Sequence, residues 1–185
     1  MTTDGDAECN GIPGIGISSP VIEDGVALYE LAAQTQVLDV NSRYAYLLWC
    51  RDFAASTVVA KRSESGAAGA EVVVGFVTGY RRPDEPTTLM VWQVAVSALA
   101  RGQGLAGRML DVLFDRVAAQ GAVDHLETTI TPDNEASIAL FRAFAKRRNA
   151  QVRKTELFSG SLLGSSEQPE HGPENSYRIG PIAAT

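Results

Sequence analysis

Apolar positions along the chain recur with two periods, and the changes between them predict the elements in turn. Residues 87–96 form an apolar, β-branched run that reads as a buried strand. Beyond a glycine-punctuated turn, Leu105, Met109, Leu110, Leu113, Phe114 and Val117 recur at helical spacing to about Gln120. Upstream, residues 15–18 suit a short strand, and Pro20 and Asp24 open a helix carrying Val26, Leu28, Leu31 and Ala32 that ends near Thr35. Asn41 or Ser42 suits the N-cap of a second helix bearing Tyr44, Leu47, Leu48, Arg51 and Phe53. Strands are expected at 57–60 and 71–80, with a hairpin connection at 63–69 and a turn at 81–86. Gly75 signals a bulge or a close backbone approach. Downstream come a strand at 124–130, then a helix opened by Pro132-Asp133-Asn134 with Ile138, Leu140, Phe141, Phe144 and Ala145 on its apolar side. A strand at 152–158, a long loop at 159–173 and a strand at 177–179 that closes the sheet complete the chain. Residues 1–14 are polar and glycine-rich and are expected to be disordered. The order β-α-α-β-β-β-α-β-α-β-β predicts an α/β fold: a mixed central sheet with helices on both faces, in one domain over 15–181.

Composition narrows this picture. A chain of 185 residues, 45% apolar and 21% charged, suits a single globular core. A net charge of −6 argues against a nucleic-acid partner. The sequence has no run of 18 apolar residues and no basic leader, which argues against a membrane and for the cytoplasm. Cys9 and Cys50 do not make a disulfide framework, and with His125 and His171 they lack metal-ligand spacing, so no metal is expected.

Chemistry concentrates after the strand at 87–96. Gly102 and Gly104 remove side chains where a backbone would approach a ligand, and the following helix offers unpaired N–H groups and the positive end of its dipole. That is a cradle for a phosphate or pyrophosphate. A Walker loop is excluded by the missing lysine. Gly102, Gly104 and Gly107 formally match G-x-G-x-x-G, but the neighbouring elements read as antiparallel strands rather than a βαβ unit.

Arg101, Gly104 and Ala106 also spell Arg-x-x-Gly-x-Ala, which resembles the acetyl-CoA pyrophosphate loop of the GNAT-type N-acetyltransferases. Further stretches resemble one branch of that superfamily, the L-2,4-diaminobutyrate N-γ-acetyltransferases of ectoine biosynthesis. These are Asp39-Val40-Asn41-Ser42-Arg43-Tyr44-Ala45-Tyr46, Trp92-Gln93-Val94-Ala95-Val96, Thr129-Ile130-Thr131-Pro132-Asp133-Asn134 and His171-Gly172-Pro173-Glu174-Asn175. The resemblance implies acetyl-CoA as cosubstrate, with no metal, held by Arg101, Gly102, Gln103, Gly104, Leu105, Ala106 and Asn134. Backbone N–H groups at Val94 and Val96 would hold the pantetheine and polarise the thioester carbonyl. Relatives also suggest a homodimer.

The acceptor carries two amines and one carboxylate, so its pocket needs carboxylates of its own and at least one donor. Asp39 and Glu127 are the expected carboxylates. Asp39 also suits helix capping, and Glu127 a solvent-facing strand position. Trp92 suits either a pocket wall in cation–π contact with an ammonium or a core position. Tyr44 is preferred over Tyr46, since two residues apart on a helix do not share a face. Glu127, Asp39 and Tyr44 are thus the catalytic candidates, with Asp39, Tyr44, Trp92, Glu127 and Glu174 at the acceptor and His171 left to a solvated loop. Asn134 suits both an N-cap and the CoA site. Phe141 stands where many relatives carry the tyrosine that protonates the leaving thiolate, which leaves Tyr44, Tyr80 or departure as the thiolate. Other readings are acetylation of a different small diamine or amino acid, a non-catalytic acyl-CoA-binding module, and a dinucleotide-binding domain.

Overall fold

The computed structural model describes residues 12, 14–35, 38–63, 71–121, 123–163 and 172–183. Most of the expected disordered tail, most of the 63–69 connection, about half of the 159–173 loop and His171 lie outside them. A strand β1 (Ile15–Ser18) leads to two helices, α1 (Asp24–Thr35) and α2 (Arg43–Asp52). Three strands follow, β2 (Thr57–Ser63), β3 (Glu71–Arg82) and β4 (Glu85–Val96). The chain continues through α3 (Leu105–Ala119), β5 (His125–Ile130), α4 (Glu135–Arg147), β6 (Val152–Phe158), a four-residue α5 (Gly160–Leu163) and β7 (Glu174–Ile179).

The seven strands make one sheet in the order β1-β2-β3-β4-β5-β7-β6, antiparallel throughout except for β4 beside β5. Both faces are covered, because alternate residues of the central strands are apolar. Val59, Phe76 and Ala95 pack under Leu28, Leu31 and Ala32 of α1 and Tyr46 and Cys50 of α2. Val58, Ala60, Val77, Leu89 and Val91 pack under Leu105, Met109, Leu110 and Leu113 of α3 and Phe141 and Phe144 of α4. Gly75 lies where α3 presses on the sheet. A Cβ there would lie 2.9 Å from Met109 Cε, and the β2–β3 register shifts beside it.

The structure corrects several details of the expected arrangement. α2 buries Tyr46 and Cys50, an i, i+4 pair, and turns Tyr44 outward at 68% exposure. The turn at 81–86 shrinks to Pro83 and Asp84, since β3 and β4 run on to Arg82 and Glu85. β7 does not close an edge; it inserts between β5 and β6, leaving β6 outermost and exposed along its whole length.

Two irregularities position the site. The register steps from Thr78↔Gln93 to Gly79↔Val91, so Trp92 is an extra residue on β4, a bulge that puts Trp92 and Gln93 on the same face. Pairing between β4 and β5 runs only from Thr88↔His125 to Val91↔Thr128. From the bulge onward the two parallel strands part, and a wedge-shaped gap opens in the middle of the sheet.

Candidate active site

The gap holds a groove made of three adjoining cavities. At its inner end, a cavity of about 430 Å³ is lined by Trp92 and Gln93 from β4, Thr129 and Ile130 from β5 with Thr131 just after it, and Leu38, Asp39 and Asn41 from the α1–α2 connection, with Asn134 and Glu174. Leu38 and Asn134 also line the next cavity, together with Val94, Val96, Arg101, Ala106 and Leu140. The third cavity continues along Gly102, Gly104, Leu105, Ala106 and Gly107 to Ala143 and Arg147 of α4.

The middle of the groove is bounded by strand backbone. The N–H groups of Gln93 and Ser97 turn toward β3, where they meet Thr78 Oγ1 at 3.1 Å and the Val74 carbonyl at 2.8 Å. Backbone groups alternate along a strand, so those of Val94 and Val96 face the gap. Arg101 Nε, donating to the Val96 carbonyl at 3.3 Å, reaches it from that side.

The outer end is a helix start left without a side-chain cap. Ser42 accepts from the Ala45 N–H at the head of α2, and Asn134 Oδ1 accepts from the Ser137 N–H at the head of α4. Gly104, the N-cap of α3, has no side chain to offer, and the first intrahelical bond runs from the Arg108 N–H to its carbonyl. The N–H groups of Leu105, Ala106 and Gly107 are therefore unspent within the helix and available to an anion. Gly102 and Gly104 have φ of 75° and 72°, and a Cβ at either would meet nothing within 4 Å. Their requirement is the left-handed backbone and open space, which suits a pyrophosphate lying on the loop. Gln103 is exposed on the same loop, its amide donating to the Leu99 carbonyl at 3.4 Å.

At the inner end, Asp39 lines the cavity and does not cap α2, a task that falls to Ser42. Its backbone carbonyl accepts from Gln93 Nε2 at 2.9 Å. Trp92 packs on Trp49 of α2, the ring centroids 4.3 Å apart, and Phe53 and Tyr80 complete the aromatic wall behind it. Asn134 caps α4, as expected, and is a shared wall of the first two cavities.

Two candidates lie elsewhere. Glu127 is only 6% exposed, with Oε2 2.8 Å from Arg82 Nη1 and Oε1 accepting from Ser176 Oγ at 2.9 Å. Arg178 stands 3.7 Å from the same carboxylate and is itself bonded to Glu85. Its oxygens are thus engaged by two guanidinium groups and a hydroxyl, and it is not among the residues lining the groove. Tyr44 points to solvent and lines none of the three cavities, nor does Tyr80. Gln93, Thr129 and Thr131 are polar cavity residues to which sequence reasoning gave no role, and Asn41 entered it only as a helix-cap candidate. Their signal was the concentration of small polar groups at the ends of elements that the splayed strands bring together. Among the described residues no cluster of three His, Cys, Asp or Glu could hold a metal ion, and no helix is long and apolar enough to cross a membrane.

Comparison with known proteins agrees with this geometry. The profile of the Acetyltransferase (GNAT) family matches residues 26–145. The chain is 51% identical over 169 residues to the L-2,4-diaminobutyric acid acetyltransferase of Streptomyces anulatus, covering 91% of each chain. It is 46% identical over 166 residues to the enzyme of the same name from Halomonas elongata, covering 90% of this chain and 81% of that one. Among solved structures it resembles the diaminobutyrate acetyltransferase EctA of Paenibacillus lautus, determined in complex with its substrate L-2,4-diaminobutyric acid and coenzyme A. The TM-score is 0.81 at 32% identity, over 92% of this chain and 97% of that one.

Proposed function

The chain belongs to the GNAT acetyltransferase family and, within it, to the L-2,4-diaminobutyric acid acetyltransferases, and from that premise we propose that it moves the acetyl group of acetyl-CoA to the γ-amine of L-2,4-diaminobutyrate, as ectoine synthesis requires. The observation that carries this reading is the continuous groove, with two carboxylates and a tryptophan at one end, an open strand edge in the middle and an uncapped helix start at the other.

In this reading the pyrophosphate of acetyl-CoA lies on the N–H groups opening α3, with Arg101 beside it, and the pantetheine runs along Val94 and Val96. Asp39 and Glu174 receive the two ammonium groups of the acceptor, and the hydroxyls of Thr129 and Thr131 with the Asn41 amide are donors for its carboxylate. Trp92 closes the pocket with its ring face toward a cation. An alkyl amine of this kind titrates near ~10.4, so it must lose a proton before it attacks, either to one of these carboxylates or to water ordered by them. Nitrogen then bonds to the thioester carbon, and the Val94 N–H carries the developing oxyanion. The carbon–sulfur bond breaks as the oxyanion collapses. Among the described residues none lining the groove is a tyrosine, and Phe141 is buried in the core, so in this reading the sulfur departs as a thiolate, tolerable for a thiol of pKa about 8.5. Thiol release with acetyl-CoA tests the reading: diaminobutyrate should turn over, with lysine and ornithine far poorer. Acetyl-CoA binding without turnover of diaminobutyrate would discard the substrate.

The proposal extends to a homodimer in the cytoplasm, the compartment that holds acetyl-CoA. The outer strand β6 supports the dimer. It is unpaired along one edge and exposes Val152, Leu157 and Phe158, and α5 adds Leu162 and Leu163.

A further inference from the structure

Gln93 is only 5% exposed, yet it lines the acceptor cavity. Its carboxamide is engaged at both ends. Oε1 accepts from the Tyr46 hydroxyl at 3.0 Å, and Nε2 donates to the Asp39 carbonyl at 2.9 Å. A carbonyl can only accept, which fixes the orientation of the amide. Its backbone N–H is bound in turn by Thr78 Oγ1 at 3.1 Å. Tyr46 is 1% exposed and wedged edge-on between Tyr29 and Phe76, so it is a rigid post. One side chain thus ties the exposed α1–α2 connection, which carries Asp39, to the interior of the sheet. The residue after it, Val94, presents its backbone to the groove where the acetyl group must sit.

We infer that Gln93 is a positioning residue that sets the chain length of the amine the enzyme accepts. The inference rests on the proposed acetylation of diaminobutyrate. Asp39 anchors one ammonium of the acceptor and the strand at Val94 fixes the carbonyl, so the span between them is the reach allowed to the reacting amine. That span crosses a single hydrogen-bonded side chain. A pocket of fixed length discriminates one methylene by about 10- to 200-fold, whereas a loop free to shift gives up most of that. Gln93 touches no reacting atom in this account; it acts through Asp39.

The test compares kcat/KM for diaminobutyrate and ornithine in the wild type and in Gln93→Met, which keeps the volume and removes both hydrogen bonds. The preference for diaminobutyrate should fall by about tenfold or more, with the KM for acetyl-CoA held within about twofold. Because Gln93 acts through Asp39, adding Gln93→Met to Asp39→Ala should cost little beyond Asp39→Ala alone. Two milder variants guard against misfolding. Gln93→Glu keeps the acceptor for Tyr46 but loses the donor to Asp39, and Tyr46→Phe removes one oxygen. Both should lower the preference in the same direction, with near-ultraviolet circular dichroism unchanged. Retained preference in the variants that fold, or full additivity with Asp39→Ala, overturns the inference. A wild type inactive on diaminobutyrate would instead remove the functional reading beneath it.

Discussion

A carboxylate on a connection before a helix is either spent on the cap or left for a ligand, and at residues 39–42 the two tasks fall to different side chains. Ser42 takes the cap and Asp39 lines the cavity. Asp39→Ala should therefore leave the melting temperature nearly unchanged and raise the KM for diaminobutyrate about 10- to 100-fold, the worth of a charge-assisted hydrogen bond. Equal losses for acetyl-CoA, or a large drop in melting temperature, would return Asp39 to a structural role. Cys50 is a contrasting case: burial pushes its thiol up to about 12, with Asp24 adding to the effect. The native thiol should resist iodoacetamide at pH 8 and react on unfolding, which peptide mass mapping reads directly. The sign for stability follows. The folded state holds this proton more tightly than the unfolded one, so the contribution is intact below the ordinary thiol pKa and is lost as pH rises toward 12. At this scale the sequence was legible where chemistry is local, as at Asn134. The placement of Tyr44 and Glu127 outside the groove was not legible, because the partners that hold Tyr46 and Glu127 come from strands far away in the chain.

Among the elements, the start of α3 differs from those of α2 and α4 in having no side chain to cap its first N–H groups. Gly104→Val places a β-branched residue at φ 72° and a side chain in the open space above the loop. Acetyl-CoA affinity measured by calorimetry should fall at least about tenfold, since the loop loses its anion geometry. Unchanged affinity would remove the pyrophosphate from this loop. The glycines and the helical period after them made this element readable from sequence alone. The bulge at Trp92 was not, because an added residue in one strand shows only against its partner, here Thr78 and Gly79 of β3. Two large side chains in succession, Trp92 and Gln93, were its trace in the sequence.

For the molecule as a whole, strong two-residue and 3.6-residue periods made the element order and the α/β class readable. The strand order was less so, since nothing local in residues 174–179 places them between β5 and β6. The exposed outer strand has its own expected outcome. Phe158→Glu, which charges the apolar edge, should shift the species seen by light scattering from dimer to monomer, and a wild type that is monomeric would contradict the dimer outright. Under the proposed function, the splayed sheet joins the two ends of its groove so that the carboxylates would hold the acceptor with only its γ-nitrogen reaching the gap at Val94. NMR of the product made from acetyl-CoA and L-2,4-diaminobutyrate tests that directly. Acetyl on the γ-nitrogen alone is the expected product; acetyl on the α-nitrogen, or a mixture of the two, would overturn the proposed geometry.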